Sequence, residues 1–467
     1  MKRLLSLVLP AVLSTTSSAL ASDRYIVGSN GSFSSDFASR VAALGGTVES
    51  QHNGAGIAVV SGISDPSRLA SLPGVNDVEA DDTVTLDTPA APAEPDSSSD
   101  VTVESVGNPA GAARFSWQWN MRDINAPAAW AAGHLGDASV TAAILDTGID
   151  YDSRDLNGLV DLSRSKSFIP SDNAIISSLF PGRNPVTDLN GHGTNVASQV
   201  SSKAGTFAGV TSKTTLIAVK VLSAQGSGSF SAVLNGLLWA VDNGADVANM
   251  SLGGGFFKAS NGRLVGLINK TFNFTSAHGM LTVVAAGNSS IDLDHDRNFY
   301  AAFCNTAAVV CVSAVGLPTW TGNPDTPSFF TNFGRSAIDV AGPGGNASFD
   351  AAGNILVTPG WPWSPGGDIA SWVWSFCSKN RVHFDPTTGV PSPTVCASGS
   401  RLLGFVGTSQ ATPHVAGLAS LLVAEQGHGH PAHIRAAIEQ SADEVGGNGT
   451  SPFFGKGRID VGHAVGL

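Results

Sequence analysis

The stretch Gly407-Thr408-Ser409-Gln410-Ala411-Thr412-Pro413-His414-Val415-Ala416-Gly417 is the most informative part of this 467-residue chain. A serine follows two small residues and precedes small and apolar ones, a pattern that predicts a buried helix beginning near Ser409. Pro413 suits the first turn of such a helix, where its missing N–H costs little. Because a helix N-terminus favours negative charge, Ser409 is a candidate nucleophile toward a carbonyl group. The alternative is an ordinary N-cap serine.

Two further segments carry the groups that a nucleophilic serine needs. In Ala142-Ala143-Ile144-Leu145-Asp146-Thr147-Gly148, an apolar strand ends in a carboxylate, and in Asn190-Gly191-His192-Gly193-Thr194 a histidine begins an apolar helix. Histidine can remove the serine proton near neutral pH, and a buried carboxylate fixes the histidine tautomer. Asp146, His192 and Ser409 are therefore predicted to act together.

A fourth segment supplies a hydrogen-bond donor. Leu281-Thr282-Val283-Val284-Ala285-Ala286-Gly287-Asn288 is a β-rich run that ends in Gly-Asn. An asparagine amide at this place could stabilise the oxyanion that forms when serine attacks a carbonyl. The alternative for Asn288 is a turn residue after a strand.

Together these segments resemble the subtilisin-like (subtilase) serine endopeptidases, and the resemblance covers residues 117–465. It implies that Asp146, His192 and Ser409 form the catalytic triad, in the chain order known from subtilisins, and that Asn288 is the oxyanion residue. It also implies an α/β fold with a parallel sheet covered by helices on both faces. Apolar runs that alternate with helical stretches after residue 117 point to the same architecture.

The resemblance further implies two cleft edges between which a substrate lies as an added strand. The resemblance also implies one wall of the primary pocket. It implies an apolar pocket for the fourth residue before the cut, and Val233 lies beside that pocket. The substrate-binding residues expected on this basis are Gly226, Ser227, Gly228, Phe230, Ser251, Leu252, Gly253, Ala285, Ala286 and Gly287. Ordinary core packing is the alternative for Val233 and, with less support, for Phe230.

The chain departs from the family pattern at Asn195, where a second histidine is usual, and at Gln410, where methionine is usual. Neither position has a catalytic role, so we expect activity to survive. An Asp-Thr-Gly turn at Asp146 also occurs in aspartic proteases, but those need two such carboxylates and this chain has the motif once.

The first 21 residues read as a secretory signal peptide, with a basic start, a short apolar centre and Ala19-Leu20-Ala21 at the end. We therefore expect secretion, either to the extracellular space or to a periplasm, and no membrane anchor. The net charge is −12 without a basic patch, which argues against a nucleic-acid partner.

Residues 22–87 alternate strands and helices in a βαββαβ order, which predicts a small ferredoxin-like α+β domain. It resembles the inhibitory propeptide of subtilases, although an accessory domain that stays attached is the alternative. Residues 88–114 form a linker rich in Pro, Ala, Ser and Asp, and residues 115–467 form the catalytic domain. We expect autoprocessing between Leu86 and Arg114, with the propeptide as the enzyme's own inhibitor.

Four cysteines in an exported chain suggest two disulfides, and three pairings are possible. We favour the local pairs Cys304–Cys311 and Cys377–Cys396. A four-cysteine zinc site is the alternative, but Cys-x-x-Cys spacing is missing.

Three features remain open. Asp155 matches a calcium ligand of the family, but the loop at 201–209 is short for that site, so structural calcium is only a possibility. Asp292, Asp294 and Asp296 could attract basic side chains, bind a cation or be a solvated loop. Residues 346–401 are an insertion with four tryptophans, Trp361, Trp363, Trp372 and Trp374, which could be a flap beside the cleft or a patch packed on the core.

The sequence thus predicts a secreted, monomeric serine endopeptidase that acts on protein or peptide substrates and requires no cofactor for its chemistry. A catalytically silent subtilase-like protein that binds peptides is the alternative from another class. A transacylase or peptide ligase would use the same acyl-enzyme.

Overall fold

A computed structural model describes residues 23–90, 92, 107–295, 298–300, 303–318, 322–347, 349, 371–398, 401–447 and 449–467. The predicted signal peptide, Trp361, Trp363 and Asp296 lie outside these described residues.

The N-terminal unit is a four-stranded antiparallel sheet with two helices. Its elements are β1 (Arg24–Gly28), α1 (Phe37–Ala43), β2 (Thr47–His52), β3 (Ile57–Ser61), α2 (Pro66–Ala70) and β4 (Asp77–Ala80). The strand order β2-β3-β1-β4 and the element order are those of a ferredoxin-like unit, as predicted. A short strand, β5 (Thr83–Thr85), follows it.

The larger unit begins with α3 (Trp119–Asp123) and α4 (Ala126–Ala131) and is built on a seven-stranded sheet. The remaining elements up to the middle of this unit are β6 (Thr141–Asp146), β7 (Lys166–Ser167), α5 (Ser171–Leu179), α6 (His192–Val200), β8 (Thr215–Lys220), β9 (Ser227–Ser229), α7 (Phe230–Asp242), β10 (Val247–Met250), β11 (Phe256–Phe257), α8 (Gly262–Ala277) and β12 (Leu281–Ala285). Those that follow are β13 (Phe299–Tyr300), β14 (Val309–Val315), β15 (Val340–Pro343), β16 (Val373–Phe376), β17 (Val382–Phe384), β18 (Pro391–Pro393), β19 (Leu402–Phe405), α9 (Thr408–Gln426), α10 (Pro431–Ser441) and α11 (Val461–Ala464).

The sheet has the order β15-β14-β12-β10-β6-β8-β7, and every pairing in it is parallel. Its central strands are fully buried, which explains why they read as continuous apolar runs instead of alternating. One apolar cluster with α6 and α9 lies on one face, and a second with α7 and α8 lies on the other. The predicted α/β architecture with helices on both faces is confirmed.

The two favoured disulfides, Cys304–Cys311 and Cys377–Cys396, are both present. The second closes a hairpin of β17 and β18 inside the predicted insertion. The described part of that insertion packs on the core, since Trp372 and Trp374 are buried and the ring of Trp374 lies 6.1 Å from that of Trp117.

Candidate active site

Asp146 and His192 form a buried pair at the carboxyl edge of the central sheet. Asp146 is the last residue of β6 and His192 the first of α6, and both side chains are almost fully inaccessible to solvent. The Nδ1 atom of His192 lies 2.9 and 3.0 Å from the two carboxylate oxygens of Asp146. A carboxylate in this position keeps the proton on Nδ1 and leaves Nε2 free to act as a base.

Glycine at position 193 lets α6 approach the end of β6. A Cβ atom on Gly193 would lie 2.1 Å from the carbonyl oxygen of Gly148. Any side chain here would therefore push the histidine helix away from the strand that carries Asp146.

Asp188 fixes the turn that leads into α6, and the sequence analysis missed it. One of its oxygens accepts hydrogen bonds from Thr147 Oγ1 and from the backbone N–H groups of Asn190 and Gly191, each at 2.9 Å. The other accepts from the N–H and hydroxyl groups of Thr194. An acid four residues before a helical histidine is the signal that could have identified this capping role.

Lys220 is a second residue that the sequence analysis missed. Its ammonium group is fully buried, lies 2.8 Å from Asp172, and donates to the carbonyl oxygens of Thr147 and Thr187. It therefore ties the segment after Asp146 to the segment before His192. A single lysine at the end of an otherwise apolar strand was the available signal.

Ser409 is the second residue of α9, as the sequence pattern indicates, but Pro413 lies deeper than predicted. The helix begins at Thr408, so Pro413 is inside it and cannot donate to the carbonyl oxygen of Ser409 four residues earlier. The hydroxyl of Ser251 donates to that oxygen instead, at 2.6 Å. Ser251 thus stabilises the helix turn that carries the serine.

The structure does not bring Ser409 into a hydrogen bond with His192. The Oγ atom of Ser409 donates to the carbonyl oxygen of Ser251 at 3.1 Å, and Nε2 of His192 is buried and has no hydrogen-bond partner among the described residues. Catalytic hydrogen bonds are often long or poorly aligned before a productive complex forms and tighten only within it.

Asn288 lies beside Ser409, and Thr408, the residue before Ser409, fixes its side chain. Its side-chain oxygen accepts hydrogen bonds from the N–H and the hydroxyl of Thr408, at 2.8 and 2.9 Å. This arrangement directs the amide Nδ2 into the cleft, where it donates to the main-chain carbonyl oxygen of Asp87 at 2.5 Å. A peptide carbonyl from the chain itself is therefore bound by the predicted oxyanion donor.

Residues 83–87 occupy the cleft between its two predicted edges. Strand β5 pairs antiparallel with β9, so that Val84 lies opposite Gly228, and Thr85 also bridges to Gly253. The N–H of Leu86 donates to the carbonyl oxygen of Gly226 at 2.8 Å. The cleft therefore binds an extended segment by strand addition, and the segment present is the end of the chain's own N-terminal unit.

Most of the predicted pocket residues surround this segment. A cavity of about 190 Å³ at Asp87 is lined by Leu252, Gly253, Ala285 and Gly287, among others. Ala286 does not line it and is buried in the core. That Ala286 forms part of the pocket wall stays a prediction.

An apolar pocket receives Val84. This side chain is fully buried in one cluster with Phe230, Val233 and Leu252. The absence of a side chain at Gly254 makes room, since a Cβ there would lie 2.9 Å from the ring of Phe230. Phe230 and Val233 thus belong both to the core and to the pocket.

The two departures from the family pattern contact each other. The amide of Gln410 donates to the side-chain oxygen of Asn195 at 3.3 Å. Asn195 in turn donates to the carbonyl oxygen of Val373 and to Ser375 Oγ, both in β16. Since β16 belongs to the insertion region, the replacements fasten that region to the histidine helix.

The carboxylate of Asp155 is buried and bound by backbone N–H groups. Its two oxygens accept backbone N–H groups of Thr206 and Phe207 at 2.8 and 2.9 Å, and burial raises its pKa to about 6. These donors occupy the carboxylate, whereas calcium requires several oxygen ligands around one point. Asp292 and Asp294 contact His295 and Ser336 respectively, which fits a local role in an exposed loop.

A parallel α/β sheet with a buried Asp–His pair and a helix-borne serine at one edge is the architecture of a serine peptidase. The chain belongs to the subtilase family, whose family model matches residues 137–457.

Known relatives agree. The chain is 32% identical to thermitase from Thermoactinomyces vulgaris, over 75% of this chain and 96% of the relative. It is 29% identical to subtilisin from Bacillus pumilus, over 73% of this chain and 96% of that protein. The crystal structure of an epidermin leader peptide processing serine protease from Staphylococcus aureus has a TM-score of 0.70 at 20% identity, covering 95% of this chain and 98% of that one. Within the described residues, no helix has the length and apolar character needed to cross a membrane.

Proposed function

We propose that this subtilase is a secreted, monomeric endopeptidase that cuts peptide bonds through an acyl-enzyme on Ser409 and is made as an autoprocessed precursor. The observation that carries the proposal is the hydrogen bond from the Asn288 amide to the carbonyl oxygen of Asp87, next to Ser409. A peptide carbonyl is held there by a donor suited to its oxyanion.

In the proposed reaction, Ser409 Oγ turns from Ser251 to Nε2 of His192 and transfers its proton as it attacks the carbonyl carbon. The carbonyl electron pair moves to the oxygen, where Asn288 Nδ2 stabilises the negative charge. Collapse breaks the C–N bond, and His192 protonates the leaving amine. Water then attacks the ester, with His192 again as base, and releases the acid while Asp146 stabilises the imidazolium.

These side chains supply the base, the nucleophile and the oxyanion donor, so the proposed chemistry needs no cofactor. Structural calcium would be compatible with it.

We place the maturation cut between Asp87 and Thr88. If the carbonyl of Asp87 is the one attacked, Leu86, Thr85 and Val84 are the second, third and fourth residues before the cut. Val84 then fills the apolar pocket, which agrees with the preference expected there. After the cut, the N-terminal unit would remain in the cleft as an inhibitor.

Labelling with a fluorophosphonate probe tests the nucleophile. The processed wild-type protein should be modified at Ser409, and Ser409→Ala should not be labelled. Ser420→Ala is a matched control, because Ser420 is buried in the same helix and its hydroxyl donates to the carbonyl oxygen of Ala416 within that helix. Absence of labelling in folded, processed wild-type protein would contradict the proposal.

Intact-mass measurement of purified protein tests maturation. Wild type should yield a fragment that begins at Thr88, whereas Ser409→Ala should stay joined at this bond. Efficient cleavage in Ser409→Ala, with a host-protease-deficient strain as control, would contradict autoprocessing. Separate assays of the culture medium and the periplasm test secretion.

One observation favours a second candidate, a catalytically silent peptide-binding protein. The hydroxyl of Ser409 is bonded to Ser251 and not to His192. Wild-type protein that stays unprocessed and unlabelled while binding the peptide Thr-Val-Thr-Leu-Asp would support this alternative.

A further inference from the structure

The insertion that begins after β15 forms a second wall near the catalytic histidine. Its disulfide-closed part returns to the catalytic unit, where the N–H of Val382 donates to the carbonyl oxygen of Leu189 at 2.9 Å and Ser378 Oγ donates to that of Asp188 at 2.6 Å. These contacts hold the hairpin against the turn that leads into α6.

Arg381 lies on this wall, close to His192. A Cβ atom at Gly191 would lie 3.5 Å from Cδ and 4.0 Å from Nε of Arg381, so the arginine side chain passes over the residue before the histidine. Its backbone is fixed on both sides, because its N–H donates to Ser378 and its carbonyl oxygen accepts from Thr394. The side chain is therefore carried by a braced segment.

The groove beside Arg381 contains the chain segment on both sides of the proposed cut. This groove, of about 250 Å³, is lined by Leu86, Thr88 and Pro92 from the tail and by Asn190, Arg381 and Phe405 from the catalytic unit, among others. Thr88 and Pro92 are the first and fifth residues after the carbonyl of Asp87. Arg381 thus faces the part of a substrate that leaves as the amine.

Charge complementarity indicates what this groove binds. Residues 371–405 carry Lys379, Arg381 and Arg401 against one carboxylate, Asp385, in a chain whose net charge is −12. Residues 88–113, which follow the proposed cut, contain no lysine or arginine and have four acidic residues, Glu94, Asp96, Asp100 and Glu104. Burial lowers the pKa of the Arg381 guanidinium, which nevertheless stays charged.

We propose that Arg381 is a specificity residue that binds acidic side chains on the C-terminal side of the scissile bond. The proposal rests on the proposed function and adds a substrate class to it: peptides with carboxylates in the segment that leaves as the amine.

The test compares internally quenched peptides that share Thr-Val-Thr-Leu-Asp-Thr-Pro-Ala and continue with eight residues. These eight residues are neutral in the reference peptide. Each other peptide has one Glu among them and is paired with a counterpart that has Gln at the same position. Processed wild-type enzyme should cut the best Glu peptide with a kcat/KM about five- to tenfold above that of its Gln counterpart, in line with a partly exposed ion pair. The advantage should shrink as salt is raised.

Variants assign the effect to Arg381. Arg381→Gln should abolish the preference, so that Glu and Gln peptides are cut at equal rates, and Arg381→Lys should retain part of it. Lys379→Gln is the matched control, because it removes an equal charge from the same hairpin, where the Lys379 ammonium contacts the carbonyl oxygen of Asp152.

Two outcomes would overturn the proposal: wild-type enzyme that cuts Glu and Gln peptides equally, or an unchanged preference in Arg381→Gln. The wild-type comparison needs no variant, so misfolding of Arg381→Gln would not remove the test. Failure of the proposed function would give a different result from failure of the specificity proposal, because the processed protein would then cut none of the peptides. In that case the specificity proposal would be contradicted as well.

Discussion

At the scale of single residues, Asn288 links the serine helix to the bound peptide. Its oxygen is fixed by Thr408 and its amide nitrogen is thereby directed at the carbonyl of Asp87. The side chain is therefore preorganised before any charge develops, and preorganised donors are those that lower a reaction barrier most.

We predict that Asn288→Ala lowers kcat about 100- to 1000-fold and changes KM little, as expected when an oxyanion donor is removed. Steady-state kinetics on a neutral peptide would measure this, and a circular dichroism melt would show that the fold persists. A loss confined to KM would mean that Asn288 only binds the ground state.

His414 is a buried histidine that titrates far from its usual range. Its Nδ1 lies 2.7 Å from the carbonyl oxygen of Gln410, its Nε2 lies 2.8 Å from the amide of Asn120, and burial lowers its pKa to about 4. Because the unfolded chain takes up this proton near pH 6.5, the folded state loses stability as the pH falls from 6.5 to 4.

We predict that His414→Gln removes this loss, since glutamine can make the same two hydrogen bonds without titrating. Both proteins carry Ser409→Ala. Between pH 7 and pH 4.5, the protein that retains His414 should lose about 2–3 kcal/mol more unfolding free energy than the one with His414→Gln, measured by urea denaturation. The two pH profiles must be compared with each other, because Asp155, with its pKa raised to about 6, makes both folded proteins more stable as the pH falls and so opposes the effect of His414. Parallel pH profiles would contradict the assignment.

At the scale of elements, the hairpin of β17 and β18 stabilises the turn before α6 through backbone contacts. Its own hydrogen bonds are few, because two short strands pair over only three residue pairs. Such a hairpin is marginal alone, so the disulfide Cys377–Cys396 acts together with the contacts to Leu189 and Asp188 to keep it in place.

We predict that replacing Cys377 and Cys396 by serine lowers the unfolding free energy by about 3 kcal/mol and also reduces kcat/KM. Removing Cys304 and Cys311 should cost about 2 kcal/mol, because the loop is shorter, with a sequence separation of 7 instead of 19 between the cysteines. Thermal denaturation and peptide cleavage would measure both. Equal loss of activity in the two double variants would argue against a specific role for the hairpin.

At the scale of the whole molecule, the sequence predicted the features that depend on local pattern. The buried parallel strands, the small βαββαβ unit and the helix that begins near Ser409 all follow from apolar runs and their punctuation. The disulfide pairs were favoured because each closes a short loop, and both are present.

Features that depend on long-range packing were not predictable in this way. The position of Asp87 in the cleft requires the register between β5 and β9, and the burial of Ala286 requires the facing of β12. The ion pair of Lys220 with Asp172 joins elements separated by many residues, and no local pattern predicts such a partner. The hydrogen bond that Pro413 leaves open is likewise closed by the distant Ser251.

The proposed mechanism requires an acyl-enzyme on Ser409, and this intermediate can be measured directly. Mature enzyme is mixed with a peptide ester that ends in Thr-Val-Thr-Leu-Asp, quenched in acid and digested with trypsin. We expect an acyl mass on Ser409, within the peptide that spans residues 402–435, and no acyl mass in His192→Ala. An acyl group on another residue, or none in folded and processed wild-type enzyme, would contradict it.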